Sequence, residues 1–257
     1  MVTRPYVYEP SKSFRKRITR RLTPFQARRM AQYKLDRPIV SFTFDDCPLS
    51  AIDNGVSKLD ELGWKSTIYI ASALLGTTNH HGLQMSETDV VAAHNAGHEI
   101  GEHSHSHIDV SEMSFERAVS DIRKNRNALH EMGLPPASTF AYPFGQTTRE
   151  VKSRLGPDYT GLRGITPGPM IGKADLNQIR STPLFTGKSF YDLLRQIEDL
   201  SGTNSWLTIF THDIENRPTQ WGCTPTEMEA IIAAVKASGA QVLTVADAIA
   251  KIKMSAP

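Results

Sequence analysis

The sequence predicts an α/β domain of seven strand–helix units, closed as a barrel or open as a wound sheet, behind a basic helical N-terminal arm. Three observations predict it. From residue 38 onward, short β-branched or apolar runs alternate with stretches of helical period, the signature of strand–helix repeats around a parallel sheet. The 257 residues are 39% hydrophobic and 22% charged, a composition that suits one large globular domain rather than a disordered chain. The net charge of +2 is unevenly spread, because residues 1–36 hold ten Lys/Arg against two Asp/Glu and residues 37–257 hold nineteen against twenty-five. The expected organisation is therefore a basic arm, 1–36, and an acidic body, 37–257.

The arm comes first in chain order. Phe14, Ile18, Leu22 and Phe25 recur at spacings of four, four and three, with Lys12, Arg15, Lys16, Arg17, Arg20 and Arg21 between them, which predicts an amphipathic basic helix. Thr23-Pro24-Phe25-Gln26 fits a capping box with proline in the first turn and predicts a second helix from Pro24 to about Leu35. Three placements are open to residues 11–35: against the acidic body, in a homo-oligomer contact, or on an anionic membrane surface. Nucleic acid is not expected, since no aromatic platform accompanies the basic residues.

Within the body, strands are expected at 38–44, 66–71, 98–102, 138–142, 160–165, 206–211 and 241–245. Helices are expected at 51–62, 87–95, 115–132, 190–200, 226–237 and 246–252. Ser86, Ser114 and the Thr224-Pro225 pair stand where helices should start, and Gly63, Gly97, Gly133 and Gly239 where they should stop. No apolar run is long enough to span a bilayer, and the N-terminus has no secretory h-region, so a cytoplasmic location is expected. Two cysteines, Cys47 and Cys223, build neither a disulfide framework nor a four-cysteine zinc site.

Chemistry-bearing residues gather where strands end. Strand 38–44 runs into Asp45-Asp46-Cys47-Pro48, placing two carboxylates at a sheet edge; an Asp-Pro turn capping the next helix is the competing structural explanation. His98 opens the third expected strand, and His103, His105 and His107 crowd the stretch directly after it. On an extended chain His103, His105 and His107 share a face, and on a helical turn His103 and His107 do. Either arrangement allows two imidazoles and one carboxylate to form a facial metal site with open positions. Strand 138–142 ends in Tyr142-Pro143-Phe144-Gly145, whose backbone N–H groups suit one side of an oxyanion hole. Strand 206–211 delivers His212 and Asp213. In parallel α/β architectures these C-terminal strand ends share one rim, where active sites form.

With these motifs in order, residues 38–250 resemble the NodB-homology polysaccharide deacetylases, carbohydrate esterase family 4, and among them the holdfast or exopolysaccharide type. The motif Thr-Phe-Asp-Asp-Gly-Pro appears as Thr43 to Pro48 with Cys47 for glycine, His-Ser/Thr-x-x-His as His103 to His107, and the leucine-bearing strand that ends in histidine as Leu207 to His212. The resemblance implies a distorted (β/α) barrel of about seven units and one divalent metal, Zn2+ first, with Co2+, Ni2+ or Mn2+ as alternatives. It implies Asp46, His103 and His107 as ligands, Asp45 as general base, His212 as general acid and the Phe144 N–H as oxyanion donor. Tyr142, Trp206, Leu207 and Ile209 would flank the acetyl pocket.

Two further departures matter. Where the family has Arg-x-Pro-x-Gly this chain has Ala141-Tyr-Pro-Phe-Gly145, as some exopolysaccharide deacetylases do, so the arginine that orients the catalytic aspartate must come from elsewhere, with Arg180 and Arg163 as candidates. The Asp-x-x-Asp-Trp motif is absent as well, leaving the partner of His212 unidentified. The expected activity is removal of N-acetyl groups from N-acetylhexosamine residues of a bacterial exopolysaccharide or its lipid-linked precursor. Hydrolysis of a non-sugar amide at the same site, or a carbohydrate-binding pseudoenzyme, are the competing readings.

Overall fold

The computed structural model describes residues 21–256. In chain order the strands are β1 Met30–Gln32, β2 Ile39–Asp45, β3 Thr67–Ile70, β4 Thr78–Asn79, β5 Gly82–Leu83, β6 Glu99–Glu102, β7 Thr139–Ala141, β8 Gly161–Arg163, β9 Met170–Ile171, β10 Lys173–Asp175, β11 Thr182–Pro183, β12 Ser205–Thr211 and β13 Gln241–Val242. Seven of them lie parallel in a curled sheet, in the order β11–β12–β2–β3–β6–β7–β8. Every neighbouring pair along this path is parallel. Parallel strands require crossovers, and helices between them cover the outer face. This is the distorted, incomplete barrel that the family resemblance implies, where the strand–helix pattern alone allowed either a barrel or an open wound sheet.

All seven expected strands form, although 241–245 contributes only the two residues Gln241–Val242, paired with β2. β11 was not foreseen: two residues give no readable period, and it forms because β12 offers a free edge. The expected helix 51–62 is broken by a π-helical stretch at Ile52–Val56, where Gly55 backs onto Phe44 and Ile214 with no space for a Cβ. The expected caps form at Ser86, Ser114 and Thr224.

β2 is buried along its whole length and alternates between two interiors. Val40, Phe42 and Phe44 join Ile68, Ile70, Leu207 and Ile209 against Leu193, Ile197, Met228, Ile231 and Val235 of the covering helices. Ile39 joins Trp206, Ile179 and Ile249 in a second cluster. Both anchor the strand whose C-terminal end carries Asp45.

The N-terminal segment departs from expectation. Instead of a helix from Pro24 to Leu35, the chain makes a single 3-10 turn at Thr23–Phe25 and a strand, Met30–Gln32, antiparallel to Lys173–Asp175. Arg29 explains the change. Its guanidinium donates to the carbonyls of Gly156 (2.7 Å), Thr160 (2.9 Å), Tyr159 (3.0 Å) and Leu176 (3.3 Å), contacts a free helix cannot make. Tyr33 and Leu35 are buried in the second cluster, so the boundary expected near residue 36 runs through packed structure. The basic helix expected over 11–22 lies, up to residue 20, outside the described residues. Among those described, no helix is long and apolar enough to cross a membrane.

Candidate active site

The C-terminal ends of β2, β6, β7, β8 and β12 open onto one cleft of about 670 Å³, lined by Asp45, Asp46, His103, His107, Phe144 and His212 among others. Among the described residues, six other than glycine have φ in the left-handed region: Ala27, Asp46, Cys47, Ser104, His107 and Phe144. Five of the six belong to this rim. Each such residue costs roughly 1–2 kcal/mol, so the surrounding fold holds the rim in a conformation its local sequence disfavours. The consequence is clearest at β2. Consecutive left-handed residues at Asp46 (φ 64°) and Cys47 (φ 64°) turn the chain sharply, and both carboxylates face the cleft instead of opposite sides of the sheet.

The two aspartates have separate partners. Asp45 is clamped by Arg163, whose Nη2 reaches both carboxylate oxygens, Oδ2 at 2.5 Å, with the arginine side chain wholly buried. Arg163 stands at the end of β8 in register with Ala141 of β7. The cation absent from position 141 is thus supplied by the neighbouring strand. Arg180, the other candidate, is exposed and donates to the Pro167 carbonyl (3.1 Å from Nε).

Asp46 faces histidines. Its Oδ1 lies 3.1 Å from His107 Nε2 and 3.5 Å from His103 Nε2, yet this buried oxygen has no hydrogen-bond partner among the described residues. His103 Nδ1–H donates to the Ala141 carbonyl (2.8 Å), leaving the Nε2 lone pair directed at Asp46. An orphaned carboxylate oxygen facing imidazole lone pairs has the donor set and spacing of a divalent cation site. Asp46, His103 and His107 offer ligand atoms that all lie within 4.8 Å of one another. Burial acts to raise the Asp46 carboxyl, but His107, His212, His103 and His81 together hold it below the usual carboxylate range. Burial lowers His103 to about 4. His105 turns away from the cluster, its Nδ1 2.8 Å from Ser72 Oγ.

His212 follows β12, and its Nδ1–H donates to the Trp221 carbonyl (3.0 Å). Its Nε2 faces Asp46 Oδ2 at 4.0 Å. Burial lowers its pKa, partly offset by the Asp46 charge. The backbone turn at Phe144 (φ 56°) sets that residue at the cleft, its ring edge-on to His107 at 4.3 Å between centroids. Tyr142 lines the cleft while its hydroxyl donates to the Asn177 carbonyl (3.0 Å).

Trp206, Leu207 and Ile209 do not line the cleft. Strand alternation sends Leu207 and Ile209 into the core beneath the helices, and Trp206 sits at the start of β12, its indole N–H bonded to Ser41 Oγ (3.0 Å). Phe210, Phe185, Trp221, Leu74 and Ile165 form the apolar wall instead. Sequence reasoning also passed over His81. Its Nδ1–H donates to Asp213 Oδ1 (2.7 Å), and its ring stacks on His212 (4.9 Å, 8° between planes). Asp213 is therefore the partner of His81, not of His212. The adjacent pair His80-His81 is the only signal the sequence carried for this.

Cys47 is fully buried, and burial, reinforced by Asp46, pushes its thiol well above its ordinary value. It fills space in the core and is protected from oxidation.

Residues 32–158 match the family described as polysaccharide deacetylase. The structure is similar to the Xyl-CE4 domain of a multidomain xylanase from the hindgut metagenome of Trinervitermes trinervoides (TM-score 0.60, 17% identity, covering 84% of this chain and 91% of that one). It is also similar to the chitin deacetylase of the fungal pathogen Colletotrichum lindemuthianum (0.59, 15%, 84% and 89%). A third similar structure is a family 4 acetyl xylan esterase from Clostridium thermocellum in complex with a cobalt ion (0.58, 19%, 83% and 91%). No curated protein matches the sequence.

Proposed function

We propose that this chain, a member of the polysaccharide deacetylase family, is a metal-dependent N-deacetylase of N-acetylhexosamine residues in a bacterial exopolysaccharide or its lipid-linked precursor. The observation that carries the reading is the division of labour between adjacent carboxylates: Asp45 is committed to Arg163 and Asp46 to two imidazoles. One carboxylate is thereby available for proton transfer and the other for a cation. Asp46, His103 and His107 would hold that ion, with zinc the first choice for two nitrogens and one oxygen. When bound, it supplies Lewis acidity to the acetamido carbonyl and to water.

The remaining chemistry belongs to the chain. Asp45, oriented by the Arg163 clamp, takes a proton from the attacking water as the new C–O bond forms. The Phe144 N–H donates to the oxyanion, a contact of the kind worth about 3 kcal/mol in the transition state. His212 gives its proton to the amine nitrogen as the C–N bond breaks, releasing acetate and the free amino sugar. Its lowered pKa makes it the stronger acid for a poor leaving group. The wall of Phe185, Phe210 and Trp221 offers stacking faces for a sugar ring.

We assign the enzyme to the cytoplasmic face of the membrane, with the basic residues between Lys12 and Arg21 contacting anionic lipid. Liposome flotation of the full chain against a form lacking residues 1–22 tests this, and equal binding would dismiss it. For the activity, acetate release from N-acetylglucosamine oligomers is compared with release from small amides. Asp45→Asn and His212→Ala should each abolish release while the metal held by Asp46, His103 and His107 stays bound. Full turnover in either variant would overturn the assigned roles.

A further inference from the structure

Asp46 is approached from both sides. Oδ1 faces His103 and His107, as described, whereas Oδ2 faces a second pair, His81 Nε2 and His212 Nε2, each at 4.0 Å. At that distance neither ring is hydrogen-bonded to the carboxylate. The tautomers of both rings are set from behind: His81 donates its Nδ1–H to Asp213 Oδ1 (2.7 Å), and His212 donates its own to the Trp221 carbonyl (3.0 Å). Both Nε2 lone pairs are therefore turned towards Oδ2. The Asp213 carboxylate is itself fixed by the Thr219 hydroxyl and the Thr219 N–H, both at 2.6 Å. A carboxylate behind a histidine that faces an open coordination position is the arrangement that makes imidazole a better metal ligand. The ligand atoms of Asp46, His81 and His212 lie within 4.8 Å of one another.

We propose that Asp46 Oδ2, His81 and His212 form a second divalent-cation site that shares Asp46 with the first and inhibits the enzyme when filled. The inhibitory part rests on the role given to His212 above; the binding part does not. Geometry ranks the two sites. Two ligands each about 2.05 Å from zinc at a tetrahedral angle stand roughly 3.3 Å apart. The first site, with its 3.1 and 3.5 Å separations, is already at that span. The second, at 4.0 Å on both sides, must close by several tenths of an ångström, so it fills after the first. A cation there takes the His212 Nε2 lone pair, leaving no position for the proton that the departing amine requires. Catalysis then stops although the first site and the Asp45–Arg163 pair are intact.

The test is zinc titration of the metal-free full chain, followed by isothermal calorimetry and by elemental analysis after gel filtration. Wild-type protein should bind two zinc ions in distinct phases, and acetate release should rise with the first and fall with the second. His81→Gln and His212→Gln should each bind one ion. The ratio of activity in excess zinc to activity at one equivalent should return to near unity in His81→Gln. Asp213→Asn should weaken the second phase alone by about 10–100-fold. A single binding phase in wild type, or two phases persisting in both histidine variants, overturns the site. Two phases without loss of activity at the second overturn the inhibition. Absence of deacetylation at every zinc level would instead refute the deacetylase reading, and the stoichiometry would still decide the binding.

Discussion

Replacing Arg163 with alanine removes the guanidinium that clamps Asp45, at a position where the arginine side chain has no solvent exposure and the aspartate side chain only 5%. Breaking a pair this deeply buried from one side costs about 3–5 kcal/mol. At roughly 2–4 °C per kcal/mol for a domain of this size, Tm should fall by about 6–20 °C. Activity should fall further than stability alone explains. An unclamped Asp45 is no longer held towards the attacking water, and loss of a positioned base typically slows the reaction by roughly 10²–10⁴-fold. Register supplies a sharper control. Ala141 is the direct partner of Arg163 across β7 and β8, roughly 4.8 Å away in a parallel sheet. The double variant Ala141→Arg/Arg163→Ala moves the guanidinium one strand across into the position the family motif gives it, and it should recover much of the lost kcat. Arg163→Lys keeps the charge but loses the planar guanidinium, whose Nη2 reaches both Asp45 oxygens while Nη1 donates to the Gly164 carbonyl, and should recover less. The assay is acetate release at 25 °C with Tm measured on the same samples. An Arg163→Ala enzyme with unchanged kcat, or a double variant no better than the single one, would refute the clamp.

Other outcomes follow from the same geometry. Chelation should abolish acetate release, and restoring zinc at about a hundred times its Kd should add about 2.7 kcal/mol of stability, a gain that Asp46→Asn should lose; an unchanged Tm would speak against the Asp46 site. Gly145→Ala should destabilise the protein by about 1–3 kcal/mol through overpacking and depress kcat, because the added Cβ would fall 2.1 Å from Ile165 at a residue with φ +65°; a wild-type rate would show that the Phe144 turn does not matter. Burial pushes Cys223 up to about 12 and Cys47 well above its ordinary value, so at pH 8 neither is a thiolate when folded. Mass spectrometry should find iodoacetamide on neither cysteine in native protein and on both after denaturation. Rapid labelling of folded Cys47 would contradict its buried placement.

The strands and the rim were legible in the sequence because burial on both faces leaves unbroken apolar runs, and such a run followed by polar residues marks a strand end. Thr43 to Pro48 is that pattern. The helix Arg149–Leu155 escaped notice, being only seven residues long and carrying little periodicity. What sequence could not supply was pairing across distance. Arg163 lies in an expected strand and Arg180 in a stretch with no expected element, yet nothing local says which cation meets Asp45; the β7–β8 register directs Arg163 there. His81 meets Asp213 across 132 positions, and no local pattern announces that contact. The stretch 24–35 opens on a capping-box pattern with proline in the first turn, but that local signal is weak beside four carbonyl contacts from a single arginine. At β12 the motif resemblance placed Leu207 and Ile209 at the acetyl pocket, whereas alternation along the strand gives that face to Phe210 and then His212.

Metal content and acetate release measured together on one preparation test the central claim most directly. Metal-free protein given one equivalent of zinc should release one acetate per free amine formed from N-acetylglucosamine oligomers, and His103→Ala should lose the metal and the activity in parallel. Retained zinc without any acetate, or equal turnover by the metal-free chain, would contradict the account.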